Sequence, residues 1–250
     1  MYFWKCWRDN RFRFIACLIT FAAIGILCTL FVYTYGRHTE MGKNPIIWKD
    51  IPQLWSKSTE FVLGAYGSMF TIIWALALGS ASLGEEFQKG TAEFLLSRPR
   101  RRRYWVWVGW SAGVCEMAVA AIMGVGATLG TLAWLTGYVY TWRILAAALP
   151  ITIAGAAIYG LAYFLSVVAR SGRLGLSYSI GILFIHLLLP AAVRHYWDVH
   201  VPSIMDFMGH ASRFIATGAG ASHAGAYLGW TLVALAFPLA TQLLVERAEA

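Results

Sequence analysis

The chain has 250 residues, of which 59% are hydrophobic and 13% charged, with mean hydropathy +0.60 and net charge +8. Soluble domains carry roughly 25% charged residues, so this composition excludes a water-clothed fold and indicates apolar segments that have lipid as their solvent. The basic residues flank apolar runs, as the positive-inside bias requires, which excludes nucleic acid as the expected partner.

Crossing ~30 Å of hydrocarbon at ~1.5 Å per residue takes about 20 helical residues. Six runs meet that length: residues 14–35, 61–83, 104–132, 144–169, 174–193 and 224–245. Before the first, Phe3, Trp4 and Trp7 alternate with Lys5, Arg8 and Arg11, the pattern of a short amphipathic interfacial helix. The run that follows exceeds the roughly 7–15 residues of a signal-peptide core, so a retained first span is expected. Residues 36–60 carry Trp48 and Trp55 with Pro45 and Pro52, fitting an interfacial helix or loop. The third run is long enough to tilt. Pro150 falls near the start of the fourth, where it costs little, and Pro238 inside the sixth predicts a kink. Residues 194–223 mix apolar and polar positions at loosely helical spacing, fitting a segment that lies on the membrane or dips back into it.

With the N-terminus on the cytoplasmic side, thirteen Lys and Arg fall in inner segments and seven in outer ones. That asymmetry orients the chain, and six spans return the C-terminus to the same side. The expected fold is therefore all-α: one polytopic transmembrane domain over residues 1–250, both termini cytoplasmic. Cys6, Cys17, Cys28 and Cys115 lie in the N-terminal segment or in apolar runs, without a C-x-x-C pair, which argues against disulfides and structural zinc.

The most informative stretch is residues 83–103, LGEEFQKGTAEFLLSRPRRRR, after the second span. It reads as two short helical pieces. Gly90 can take the left-handed conformation that ends one helix, and Thr91 can cap the next. Glu93 in the new first turn complements the helix dipole. Phe94, Leu95 and Leu96 give an apolar face, and Pro99 biases Arg98 out of the helix. Arg100, Arg101, Arg102 and Arg103 then sit at headgroup level, each worth roughly 1 kcal/mol of attraction to anionic lipid. An acidic, capped helical piece clear of the third span is a shape that a cytoplasmic partner can grip.

The order Glu86, Gly90–Thr91, Glu93, Leu95–Leu96–Ser97, Pro99 and a following Arg resembles the signature of the permease subunits of type-2 ABC exporters. The resemblance extends to the six-span layout, the basic-aromatic N-terminal segment and the long outer segment before the last span. Four consecutive arginines depart from the family pattern, which has one basic residue there. The resemblance implies a coupling helix after the second span that docks in a groove of an ABC ATPase subunit, with Glu85, Glu86, Gly90, Thr91 and Glu93 as coupling contacts. It implies a second permease subunit, identical or different, and the cytoplasmic (inner) membrane of a prokaryote as the location. The chain has no G-x-x-x-x-G-K-[ST] phosphate loop, so ATP and Mg are expected on the partner and no cofactor on this chain.

Other residues have two readings each. Glu116, near the middle of the third span, costs roughly 3 kcal/mol to place there. It is either part of a translocation path or a packing feature. His186 reads as a satisfied core histidine. Gly109/Gly113 and Gly126/Gly130 form two G-x-x-x-G patterns for close helix approach. His195, His200, His210, His223, Asp198 and Asp206 match no recognised metal-ligand spacing. Glu85–Glu86 resembles the glutamate pair of membrane proteases, but Gly90 stands where their arginine belongs, and Ser222 misses the G-x-S-x-G spacing. An intramembrane enzyme, an ATP-independent secondary transporter or channel, and a scaffold are the alternatives to an ATP-driven export permease.

Overall fold

A computed structural model describes residues 2–40, 55, 58–81, 83–90, 102–137, 139, 142–197, 203–209 and 224–247. Among them there is no strand. α1 is Tyr2–Glu40; a π-helical segment Glu60–Gly67 runs into α2, Ser68–Ser80; α3 is Leu83–Gln88 and α4 is Arg102–Thr136. A 3-10 turn, Trp142–Ala147, leads into α5, Ala148–Val168; α6 is Gly172–Trp197 and α7 Ala224–Arg247. Six helical stretches are long and apolar enough to cross a membrane: Lys5–Thr34, Glu60–Gln88, Arg102–Thr136, Ile144–Val168, Gly172–Pro190 and Gly225–Arg247. They coincide with the six expected runs.

The separate amphipathic helix expected at the start does not exist as such. Its residues are the first turns of α1, which continues unbroken for 39 residues. Nothing between Arg8 and Phe14 stops a helix, since the segment has neither Gly nor Pro. At ~1.5 Å per residue α1 is about 58 Å long, nearly twice the hydrocarbon thickness, so its basic first turns stand clear of it.

α5 is the centre of the bundle. Two thirds (67%) of its apolar stretch is buried, against 22% for α1, α6 and α7. It packs against α2, α4, α6 and α7, and small residues make that possible: Ala154, Gly155, Ala156, Ala157 and Ala162 are all buried. Lipid is as apolar as a leucine side chain, so helices here associate through close contact rather than hydrophobic expulsion. A Cβ on Gly79 of α2 would lie 2.6 Å from the Tyr159 carbonyl oxygen of α5, and one on Gly25 of α1 would lie 2.6 Å from the Gly124 carbonyl of α4. Of the two glycine patterns on α4, Gly109 and Gly113 face Tyr163 and Tyr159 of α5, whereas Gly126 and Gly130 meet nothing within 4 Å.

Hydroxyls along the spans donate to carbonyls one turn back, as in Thr29 to Gly25, Thr128 to Gly124 and Thr152 to Ala148. Water is not there to satisfy them, so the helix is their partner. The π-helical segment uses the same device: Ser68 donates to Gly64 and Thr71 to Gly67, both at 2.6 Å. Its wider turn brings the Val62 carbonyl to 3.1 Å from where a Cβ of Gly67 would be, five residues on. Pro150 lies in the first turn of α5, and α7 runs through Pro238 without interruption.

Of residues 194–223, the structure describes a short helix over 204–209 that is packed inward, not laid on a surface. Ile204, Phe207 and Met208 are fully buried against α6 and α7. Ser203 and Asp206 cap it reciprocally: the Ser203 N–H donates to the Asp206 carboxylate at 3.0 Å, and the Asp206 N–H donates to the Ser203 hydroxyl at 3.1 Å. Trp55 is likewise buried, beside Val62, Leu132 and Ile144, while Trp48, Pro45 and Pro52 fall outside the described residues.

Candidate functional site

The start of α1, α3, the start of α4, the α5–α6 turn and the end of α7 meet at one end of the bundle. Most of the described basic residues lie there. α3 follows the second span past a turn at Ala81, and its seat on the α5–α6 hairpin is tight. A Cβ on Gly84 would lie 2.5 Å from the Ser166 Cβ, and one on Gly172 would lie 2.6 Å from the Ser80 carbonyl and 3.0 Å from the Glu85 Cγ. The hairpin turn is closed by Arg170, a non-glycine residue at φ 48°. The Ser171 N–H donates to the Ser166 carbonyl and the Arg170 N–H to the Val167 carbonyl, each at 3.1 Å. That bonding pattern ends a helix on a left-handed residue, a place where glycine is usual.

α3 presents two carboxylates, and both engage α1. The Lys5 ammonium donates to Glu86 Oε1 at 2.8 Å, and the Arg13 guanidinium donates to Glu85 Oε1 at 2.9 Å. Lys89 adds a longer contact to Glu85 Oε2 at 3.4 Å. The Glu86 side chain is 19% exposed and the Glu85 side chain 30%, so both pairs are partly shielded from water. Beside them is a cleft of about 40 Å³ lined by Lys5, Asp9, Asn10, Glu86, Tyr159 and Tyr163 among others. The two tyrosines donate to backbone carbonyls of α4, Tyr159 to Gly109 at 3.2 Å and Tyr163 to Val106 at 3.4 Å.

Gly90 has φ 70°, the left-handed conformation expected of the residue that ends this helix, and a Cβ there would meet nothing within 4 Å. Thr91, Glu93, Arg100 and Arg101 lie outside the described residues. Arg102 donates to the Val245 carbonyl of α7 at 3.2 Å, which fixes the start of α4 to the end of α7, and Arg103 is exposed.

Glu116 is elsewhere, in the middle of α4, and is 4% exposed. Neither of its carboxylate oxygens has a hydrogen-bond partner among the described residues. Ala120, one turn along, packs against Cys17 and Phe21, so Glu116 sits at the level of the α1–α4 contact. His186 is not its partner. His186 Nε2 accepts from the Ile204 N–H at 3.4 Å, and its ring lies edge-on to Trp230 at 5.8 Å, which makes it a half-buried histidine that holds the short helix. Among the possible metal ligands, His195 ends α6 edge-on to Tyr196 and Asp206 serves as a cap, while Asp198, His200, His210 and His223 are outside the described residues.

The family model for ABC-2 family transporter proteins matches residues 13–241. The chain belongs to that family. A comparison with curated proteins finds no match. This ABC-2 protein is a multi-pass membrane permease, the membrane component of an ABC transporter. Its match begins at Arg13, inside α1 and just past the turns that hold Lys5. Sequence reasoning missed Lys5 and Arg13 as partners of Glu85 and Glu86. The signal was there in part: of only 12 acidic residues two are adjacent, Glu85 and Glu86, and the segment before the first span is basic.

Proposed function

We propose that this ABC-2 protein is the permease subunit of an ATP-driven export complex in the cytoplasmic membrane of a prokaryote. A separate ABC ATPase supplies the energy, and a second permease subunit, the same chain or a different one, completes the pathway. The ATPase docks on the end that carries α3, with the turn at Gly90 and the following Thr91 and Glu93 entering its groove. ATP and Mg bind that partner.

The observation that carries this reading is the position of α3 and Gly90. They end the second span of an ABC-2 chain, at the end where the α5–α6 turn and three other helix ends converge. A push on α3 there reaches α5 directly, because Gly84 leaves no room between α3 and Ser166. Membrane lipids complete the surroundings, with Arg100, Arg101, Arg102 and Arg103 at headgroup depth. Glu116 then has two roles to be separated by experiment, translocation path or packing.

The test is purification of the chain in mild detergent from its native host, with mass spectrometry of what accompanies it. Recovery of an ATPase with a phosphate-binding loop, lost on Glu93→Lys, supports the reading. Recovery of the chain alone, with no nucleotide-hydrolysing partner, overturns it.

A further inference from the structure

The two ion pairs between α1 and α3 are not equivalent to one strong one. Lys5 and Arg13 are eight residues apart, about 12 Å along a helix axis, whereas Glu85 and Glu86 are neighbours. α1 therefore reaches the short helix from two points two turns apart on its own length, which converge on adjacent residues, Lys5 to Glu86 at 2.8 Å and Arg13 to Glu85 at 2.9 Å. One ion pair is a pivot; two separated ones resist rotation. Further along, α1 has no break in its 39 residues that could absorb a movement. It also has little clearance from α4, since a Cβ on Gly25 would fall 2.6 Å from the Gly124 carbonyl and one on Gly124 would fall 3.0 Å from the Phe21 ring.

We propose that Lys5 and Arg13 form a two-point clamp that carries displacement of α3 into α1, and through the glycine contact into α4. Glu85 and Glu86 then belong to the transmitting side of the coupling element, which leaves the turn at Gly90 with Thr91 and Glu93 as the side that meets the ATPase. Lys5 and Arg13 are positioning residues: they act through α3 and touch neither nucleotide nor cargo. This inference rests on the ATPase-driven reading above.

Charge swaps test it in the whole complex, the chain with its co-purified ATPase in lipid nanodiscs. The single variants are Lys5→Glu, Glu86→Lys, Arg13→Glu and Glu85→Arg, and the swaps are Lys5→Glu with Glu86→Lys and Arg13→Glu with Glu85→Arg. Three quantities are read: ATPase retained, Mg-ATP turnover that depends on the permease, and the melting temperature of the chain. Each single reversal is expected to keep the ATPase bound while turnover falls at least threefold, and each swap to recover at least half of the loss. Four results overturn the clamp. Turnover unchanged in the single variants means that the pairs are passive. A swap that restores melting temperature and not turnover means that they serve the fold alone. Loss of the ATPase on Glu86→Lys, not regained in the swap, places Glu86 against the ATPase and leaves the export reading standing. Absence of any ATPase from the wild-type preparation removes the export reading and the clamp with it.

Discussion

Among the described glycines the tightest close approach is that of Gly113 on α4 to the Tyr159 ring of α5, and replacing the glycine by alanine measures what it contributes. The added Cβ would overlap three atoms at the far end of the ring. That ring cannot turn aside freely: Tyr159 is 1% exposed, stacks on Tyr163 at 6.0 Å and donates to the Gly109 carbonyl. Overpacking of this kind costs about 1–3 kcal/mol, and loss of the tyrosine hydrogen bond adds about 1 kcal/mol. Alanine returns about 1 kcal/mol of helix propensity, so Gly113→Ala should be destabilised by about 1–3 kcal/mol. Gly126→Ala on the same helix is the control, because a Cβ there meets nothing within 4 Å. Only the propensity term remains, so it should gain about 1 kcal/mol. Thermal unfolding of both variants in one detergent reads the difference, which at ~2–4 °C per kcal/mol amounts to at least about 4 °C. Adding Tyr159→Leu to Gly113→Ala should recover part of the loss by vacating the ring. If Gly113→Ala melts with or above Gly126→Ala, the argument that glycine sets the α4–α5 distance is wrong.

Three further outcomes follow from single positions. Gly90→Ala forces a left-handed alanine at a cost of about 1 kcal/mol; hydrogen exchange of the Lys89 and Gly90 amides, bonded to Glu85 and Phe87, should quicken about fivefold with the melting temperature unchanged. Arg170→Gly relieves the strained residue that closes the α5–α6 turn and should gain about 0.5–1 kcal/mol in chemical unfolding, whereas Arg170→Val, β-branched at positive φ, should lose stability. Glu116→Gln replaces a buried carboxyl without a partner among the described residues by an amide of the same shape that cannot ionise, and should melt at or above wild type. A lower melting temperature would mean that the carboxylate is held by a group outside the described residues, and Glu116→Lys should fail to accumulate in the membrane.

The spans were legible because each is an uninterrupted apolar run, and length against bilayer thickness decides them with little help from context. The glycine at 90 was legible for a similar reason: left-handed backbone has few candidate residues. The continuity of α1 was not. Charged and aromatic residues before Phe14 mark where hydrocarbon ends, and that is different from where a helix ends. The π-helical turn left no mark either, since Gly64 and Gly67 are ordinary residues in a membrane helix. Ser203-x-x-Asp206 is a readable cap, yet the burial of the helix it starts depends on Trp230 and His186, which come from other elements. The pairing of Lys5 with Glu86 joins residues 81 positions apart. No local pattern encodes such a contact; only the bundle brings the two together.

The wide turn at Glu60–Gly67 has a consequence for how this protein tolerates change in length. A π-turn is a helix carrying one residue more than its neighbours need, held in place by the contacts on either side. Removing a single residue from this stretch would let it relax to ordinary α-helix with α2 and its packing on α5 undisturbed. The helical residues just before it, Ser58 and Thr59, would instead swing by about 100° around the axis. Trp55, now 1% exposed, would leave its pocket beside Leu132 and Ile144. One deletion, harmless to the length of the span, would thus re-aim the described residues that lead into it.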